Sequence, residues 1–174
     1  MEYFALVALV AAYQSAGEGM AHVRSEFHFA VEMPYETAAP LFGALAERKW
    51  ALGWNPQFVY PTPAEDREGA VFRVEHGSHT SVWVTTVFDL PGGHVQYVSV
   101  IDRVMLTRID IRLAKNGTGK TDVAVAYERT ALDVGVNEHV RALGRSDAGQ
   151  GPEWKAQIDA YAMELHSFGQ QHPL

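Results

Sequence analysis

Cysteine is absent from this chain, which removes disulfides, thiolate nucleophiles and sulfur-ligated metals together. Clusters of Lys and Arg are missing as well. With a formal charge of −7 and no basic run, nothing in the sequence would hold a nucleic-acid backbone or an anionic membrane surface. No H-E-x-x-H, no G-x-S-x-G and no carboxylate pair at fixed helical spacing occurs, so the familiar metallohydrolase and serine-hydrolase chemistries find no support. No apolar run reaches the roughly 20 residues that cross a bilayer. The longest, Tyr3 to Tyr13, has the length of a signal core but only Glu2 as a preceding charge, where a secretory signal carries positive charge. Three readings of this segment stand side by side: a signal, an extra helix, and an upstream extension of a protein whose translation starts at Met20. A cytoplasmic location is expected, with export as the alternative if residues 1–19 act as a signal.

What is present is a globular composition. Of 174 residues, 47% are hydrophobic and 20% charged, enough for one core and too short for two comfortable domains. The expected division is an N-terminal extension over residues 1–21, one domain over 22–168 and a tail over 169–174.

Alternation at period two marks the strands. From His22 to Met33, Val23, Phe27, Phe29, Val31 and Met33 fall on one face against Arg24, Glu26, His28 and Glu32. Pro34 ends this strand. From Glu36 to Trp50 an Ala-rich stretch predicts two short helices, interrupted by Pro40 and Gly43. A short strand follows Trp54-Asn55-Pro56, near Gln57 to Tyr60, and residues 61–69 read as a loop. Strands are then expected at Ala70–His76, His79–Asp89, His94–Ile101, Val104–Ala114 and Lys120–Asp133. The two-residue connection Gly77-Ser78 fixes a register in which His76 faces His79, Val74 faces Ser81 and Phe72 faces Trp83. That shared face is taken as the inner one.

Helical spacing takes over at the C-terminus. Val136, Val140 and Leu143 predict a first helix, interrupted from Gly144 to Gly151. Trp154, Ile158, Tyr161, Leu165 and Phe168 then form one apolar stripe on a long second helix, with Pro152 in its first turn and Gly169 as its stop.

Two motifs are set aside. Ala114 to Thr121 nearly matches the phosphate-binding loop G-x-x-x-x-G-K-[ST], yet the residues after it alternate as a strand and provide no helix N-terminus. It is expected to be a hairpin turn; the overlapping Asn116-Gly117-Thr118 also fits a glycosylation sequon. His76 and His79 could share an ion across the hairpin, but catalytic zinc normally takes three protein ligands and no third is visible, so no metal is expected. On the last strand Val123, Val125, Tyr127 and Arg129 share a face. Arg129 could hold an anionic or carbonyl group at the rim of the interior, although a snorkelling or salt-bridged Arg is the commoner case. Trp83, Tyr97, Tyr127 and Tyr161 suit the wall of a cavity and a solid core alike.

The element order, with PYETAAPLFGALAERKWALGWNP at Pro34–Pro56 and EWKAQIDAYAMEL at Glu153–Leu165, resembles the START-like superfamily, which includes Bet v 1, polyketide cyclases and the C-terminal domain of the Hsp90 activator. The resemblance implies an α+β helix-grip fold: a curved antiparallel sheet of six to seven strands wrapped around a long C-terminal helix, with two short helices after the first strand. It further implies a cavity that binds or carries a small hydrophobic molecule of lipid, polyketide or aromatic type. No member's catalytic motif is present and no cofactor is expected. The candidate ligand-binding residues are Phe72, Val74, His76, Trp83, Thr85, Tyr97, Ile109, Ile111, Tyr127, Arg129 and Tyr161. The alternatives are a cyclase or dehydratase in which His76, Tyr127 or Arg129 moves a proton or polarises a carbonyl, and a chaperone-activator-like interaction module. The expected partner is a small hydrophobic molecule, with no nucleic acid and no stable membrane insertion, on a monomer or homodimer.

Overall fold

The computed structural model describes residues 19–77 and 79–171, with side chains to residue 165. The N-terminal apolar run and Phe168 therefore lie outside the described residues or side chains. Seven antiparallel strands form one sheet in the order β1-β7-β6-β5-β4-β3-β2. They are β1 (His22–Val31), β2 (Gln57–Tyr60), β3 (Val71–His76), β4 (His79–Asp89), β5 (His94–Ile101), β6 (Met105–Lys115) and β7 (Thr121–Ala131). After β1 the chain crosses the whole sheet to its far edge at β2, then meanders back strand by strand until β7 pairs with β1 along its length, from His22↔Thr130 to Val31↔Thr121. The crossing segment, residues 32–56, is thus laid over the concave face, and this placement builds the site.

Alternation works as expected where a strand has one dry face. In β6 Met105, Thr107, Ile109, Ile111 and Leu113 are buried between the exposed Arg108 and Arg112. The β3–β4 hairpin adopts the expected register, with His76↔His79, Val74↔Ser81 and Phe72↔Trp83. Beyond Thr85 the alternation breaks. A bulge between Thr85 and Val87 inserts an extra residue, so that Phe88, on the opposite parity, packs against the core. The phosphate-loop look-alike is a turn, in which the Asn116 N–H donates to the Lys120 carbonyl at 2.9 Å, and it leads directly into β7.

Gly93 ends the turn between β4 and β5, where its carbonyl accepts the Leu113 N–H of β6 at 2.8 Å. Its φ of 70° is left-handed, and a Cβ there would lie 2.2 Å from the Leu113 carbonyl oxygen, a backbone atom that cannot step aside. Gly93→Ala is expected to destabilise the fold by at least about 2 kcal/mol, read as a lowered urea midpoint at unchanged m-value. A loss under 0.5 kcal/mol would show that the turn simply reshapes.

The segment after β1 is helical but tighter than expected. α1 (Tyr35–Ala38) is a single turn, and 3₁₀ turns follow at Ala39–Leu41 and Ala46–Lys49. Pro40 and the Gly43 break leave too few residues for a regular helix to propagate. Gly43 has a second reason to lack a side chain: a Cβ there would meet the Asp66 carboxylate at 2.5 Å. That carboxylate accepts the Leu45 and Ala46 N–H groups at 2.7 and 2.9 Å, so the loop over residues 61–69 caps the second 3₁₀ turn.

Two helices close the fold. α2 (Asn137–Asp147) packs on β1 and β7, and α3 (Gly151–Gln171) packs on β1. α2 runs straight through Gly144, the position expected to interrupt it. A Cβ there would come within 2.9 Å of Val23 Cγ2, so Gly144 is a close-packing residue against β1 rather than a stop. Asn137 pins the start of α2, accepting the Ala21 N–H at 2.7 Å and donating to the Gly19 carbonyl at 3.0 Å. Along α3, Ile158 is fully buried and Trp154 and Tyr161 are half-buried, whereas Leu165 is 48% exposed. The expected stripe therefore grips the sheet only through its first half.

Candidate ligand cavity

Sheet, crossing segment and helices do not meet everywhere, and among the spaces left are two cavities sharing a wall of Trp54, His76, Trp83, Ile109 and Tyr127. The first, about 300 Å³, lies beneath the crossing segment and the N-terminal turns of α3. The second, about 660 Å³, lies beneath α2 and is walled by Ile101, Val104, Met105, Val136 and Leu143, with polar atoms from Ser81, Ser99, Thr107, Arg129 and His139.

All four tryptophans of the chain line the first cavity: Trp50, Trp54, Trp83 and Trp154. Their orientation is fixed locally. Trp50 Nε1 donates to the Leu41 carbonyl at 2.8 Å, Trp54 Nε1 to the Ala44 carbonyl at 2.7 Å, and Trp83 Nε1 to Ser81 Oγ at 2.6 Å. With the N–H groups of Trp50, Trp54 and Trp83 satisfied inside the protein, these three rings keep their positions while a ligand meets carbon surface. Edge-to-face contacts couple them, at 5.3 Å between the Trp54 and Trp83 centroids and 5.5 Å between Trp50 and Trp154.

Glu47 is the unexpected member of this wall. It sits in the second 3₁₀ turn, its N–H bonded to the Gly43 carbonyl and its own carbonyl accepting from Trp50 and Ala51, which locks the side chain towards the sheet. Its residue exposure is 6%, and its Oε1 accepts the Tyr97 hydroxyl at 3.2 Å. Among the described residues no Lys, Arg or His forms an ion pair with it. Burial drives its pKa from the ordinary carboxylate range up to about 8, partly offset by the Tyr97 hydrogen bond and reinforced by the nearby Asp66 charge. At neutral pH Glu47 is mostly a neutral acid. Burial also pushes the Tyr97 and Tyr127 hydroxyls upward, the Glu47 charge adding for Tyr97 and the Asp147 charge for Tyr127.

The expected site residues divide. Val74, His76, Trp83, Tyr97, Ile109, Ile111 and Tyr127 line the first cavity, and Arg129 lines the second. Phe72, Thr85 and Tyr161 line neither. Phe72 is fully buried behind the wall, stacked on Trp83 at 5.7 Å and on Phe58 at 5.4 Å; Thr85 is buried beside the bulge, and Tyr161 packs on the main core. Arg129 is no free anchor for a ligand. Its Nε and Nη2 reach both Asp147 carboxylate oxygens, at 2.6 and 2.9 Å, its Nη1 reaches Thr107 Oγ1 at 3.1 Å, and its guanidinium lies 4.9 Å from the Tyr127 ring centroid. His76 Nε2 is 2.9 Å from Ser81 Oγ. His76, His79 and His139 all border the second cavity, but among the described residues no three His, Asp or Glu side chains form a metal-holding group. Nor is any described helix long and apolar enough to cross a membrane.

No known family profile and no curated protein sequence matches the chain. Solved structures do. Norcoclaurine synthase from Thalictrum flavum, in complex with dopamine and hydroxybenzaldehyde, superposes with a TM-score of 0.61 at 11% identity, over 86% of this chain and 94% of that one. Ara h 8.0201 gives 0.58 at 13% identity, over 83% and 99%. An uncharacterized protein from Rhizobium leguminosarum gives 0.59 at 11%, over 84% and 97%. The architecture is therefore the Bet v 1-like helix-grip fold, while identities this low carry nothing about activity.

Proposed function

We propose that this helix-grip protein binds a small, largely apolar and aromatic molecule in the paired cavities between sheet and helices. The observation that carries this is the convergence of all four tryptophans on one cavity whose wall continues into a second, larger one. A solid core would have filled that space, since interiors pack close to crystal density and each missing contact costs stability. The likeness to a helix-grip structure in complex with dopamine and hydroxybenzaldehyde supports the same reading.

The tryptophans provide their own readout. Titration with the neutral probe N-phenyl-1-naphthylamine is expected to change tryptophan emission saturably. Ile109→Trp, which fills the wall shared by both cavities, should weaken binding by at least about tenfold, equivalent to about 1.4 kcal/mol. An unsaturable response, or equal binding by Ile109→Trp, would refute the proposal.

A second reading, proton-transfer catalysis of the cyclase or dehydratase type, is favoured by the contact between Glu47 and the Tyr97 hydroxyl. It would rest on these two residues and not on Arg129, whose guanidinium is committed to Asp147.

A further inference from the structure

The first cavity has a chemical bias that an apolar ligand does not use. Its walls carry the faces and edges of four tryptophans with Tyr97 and Tyr127, and carboxylates stand at two levels: Glu47 buried within, Glu75 and Glu153 exposed at the mouth. No Lys or Arg is among its lining residues; His76 is its single basic side chain. Aromatic faces attract cations through their quadrupoles, most strongly when both are out of water. A carboxylate buried without a cationic partner is costly, and a cation brought to it removes that cost.

We propose that the ligand is an organic cation, a protonated amine or quaternary ammonium on an apolar body, with its charge held between Glu47 and the tryptophan rings. This rests on the cavity being a binding site, and names the class of molecule it selects. The second cavity, apolar at Ile101, Val104 and Met105, takes the body of the molecule.

Binding of this kind is linked to a proton. Glu47 enters the complex ionised but is mostly neutral in the free protein at neutral pH, so the cation must expel its proton. The titratable groups facing Glu47 are Tyr97 from β5, Tyr127 from β7, Asp66 from the loop before β3, His76 and Glu75 from β3 and Glu153 from α3. Both tyrosines stay neutral through this range because burial raises them. His76 lies next to Ser81, and Glu153 accepts from Gln157 at 3.1 Å.

The test uses the full chain with two ligands of one skeleton: trimethyl(2-phenylethyl)ammonium, whose charge does not titrate, and neutral 2-phenylethanol. Calorimetry is run from pH 6 to pH 9 in paired buffers of different ionisation enthalpy. The cation is expected to bind at least about tenfold more tightly than the alcohol at pH 9. Its affinity should rise by up to about tenfold per pH unit and level off above the Glu47 pKa, with release of up to one proton below it. In Glu47→Gln the cation's profile should flatten, and its affinity at pH 9 should fall by at least about tenfold more than the alcohol's does. Glu153→Gln, at the wet mouth, should lower cation affinity by less than Glu47→Gln does. Equal affinity for cation and alcohol, or a cation profile that Glu47→Gln leaves unaltered, overturns the assignment. Failure of both ligands and of the naphthylamine probe would instead remove the binding site itself.

Discussion

Asp147→Ala is expected to lower the unfolding free energy by about 3 to 5 kcal/mol, because it strands the Arg129 guanidinium in the wall of the second cavity. The two side chains are 1% and 12% exposed, and both oxygens of Asp147 are engaged by Arg129. Removing the acid leaves a charge whose remaining contacts are the Thr107 hydroxyl and the Tyr127 ring, neither of which neutralises it. The pair also fastens the last turn of α2 to β7, so the lost stability should come with faster hydrogen exchange in α2. Replacing both partners by apolar residues, Arg129→Met with Asp147→Leu, is expected to restore most of the loss, since desolvation of the pair offsets much of its attraction. Urea unfolding of the three proteins decides it. A single substitution costing under 1 kcal/mol would mean that water reaches the guanidinium and the pair is not buried in solution.

Glu47 should give the chain an unusual dependence of stability on pH. In the unfolded chain its carboxyl ionises near the ordinary value of 4.5, and in the folded protein only near 8. Between those limits the native state holds a proton that the unfolded state has released, so stability falls as pH rises. The contribution is fully present below the unfolded value, declines by about 1.4 kcal/mol per pH unit across the window, and is gone above the folded one. The whole span amounts to a few kcal/mol. Glu47→Gln keeps the shape, removes the titration, and should be the more stable protein above neutrality. Other groups titrate too, so the informative quantity is the difference between the two proteins measured by denaturant from pH 5 to pH 9. Parallel profiles would show that Glu47 is hydrated and ionised in the native state.

How far the sequence could reach differs by element. β1 and the β3–β4 hairpin were legible because a strand with one dry face writes its orientation at period two, and a two-residue turn leaves one register. The crossing segment was not, since single-turn and 3₁₀ geometry has no long period, and Glu47, Trp50 and Trp54 enter the cavity through it. One signal was available: Glu47 stands three residues from Ala44 and from Trp50, a charged residue on an otherwise apolar helical face. The bulge in β4 was invisible because Thr85, Thr86 and Val87 are all good strand formers. Gly144 misled in the other direction, being read as a helix stop when the reason for its small size is Val23, far away in sequence. Arg129 could be placed on the correct face but not paired, because no local pattern ties it to Asp147.

The closing of the sheet by its first and last strands has a consequence for synthesis. β1 leaves the ribosome before β7, its only strand partner among the described residues, and His22 must wait for Thr130, a separation of 108 residues. At about 5 to 20 residues per second the gap is on the order of 5 to 20 s, during which a ten-residue alternating strand has no native partner. The charges on its outward face, Arg24 and Glu26, with Glu32 just beyond its end, are then what keep it from pairing with a neighbouring nascent chain. In the finished protein Arg24 pairs with Glu26 and Glu128, and Glu32 with Lys120; the more demanding service of these charges comes before the fold exists.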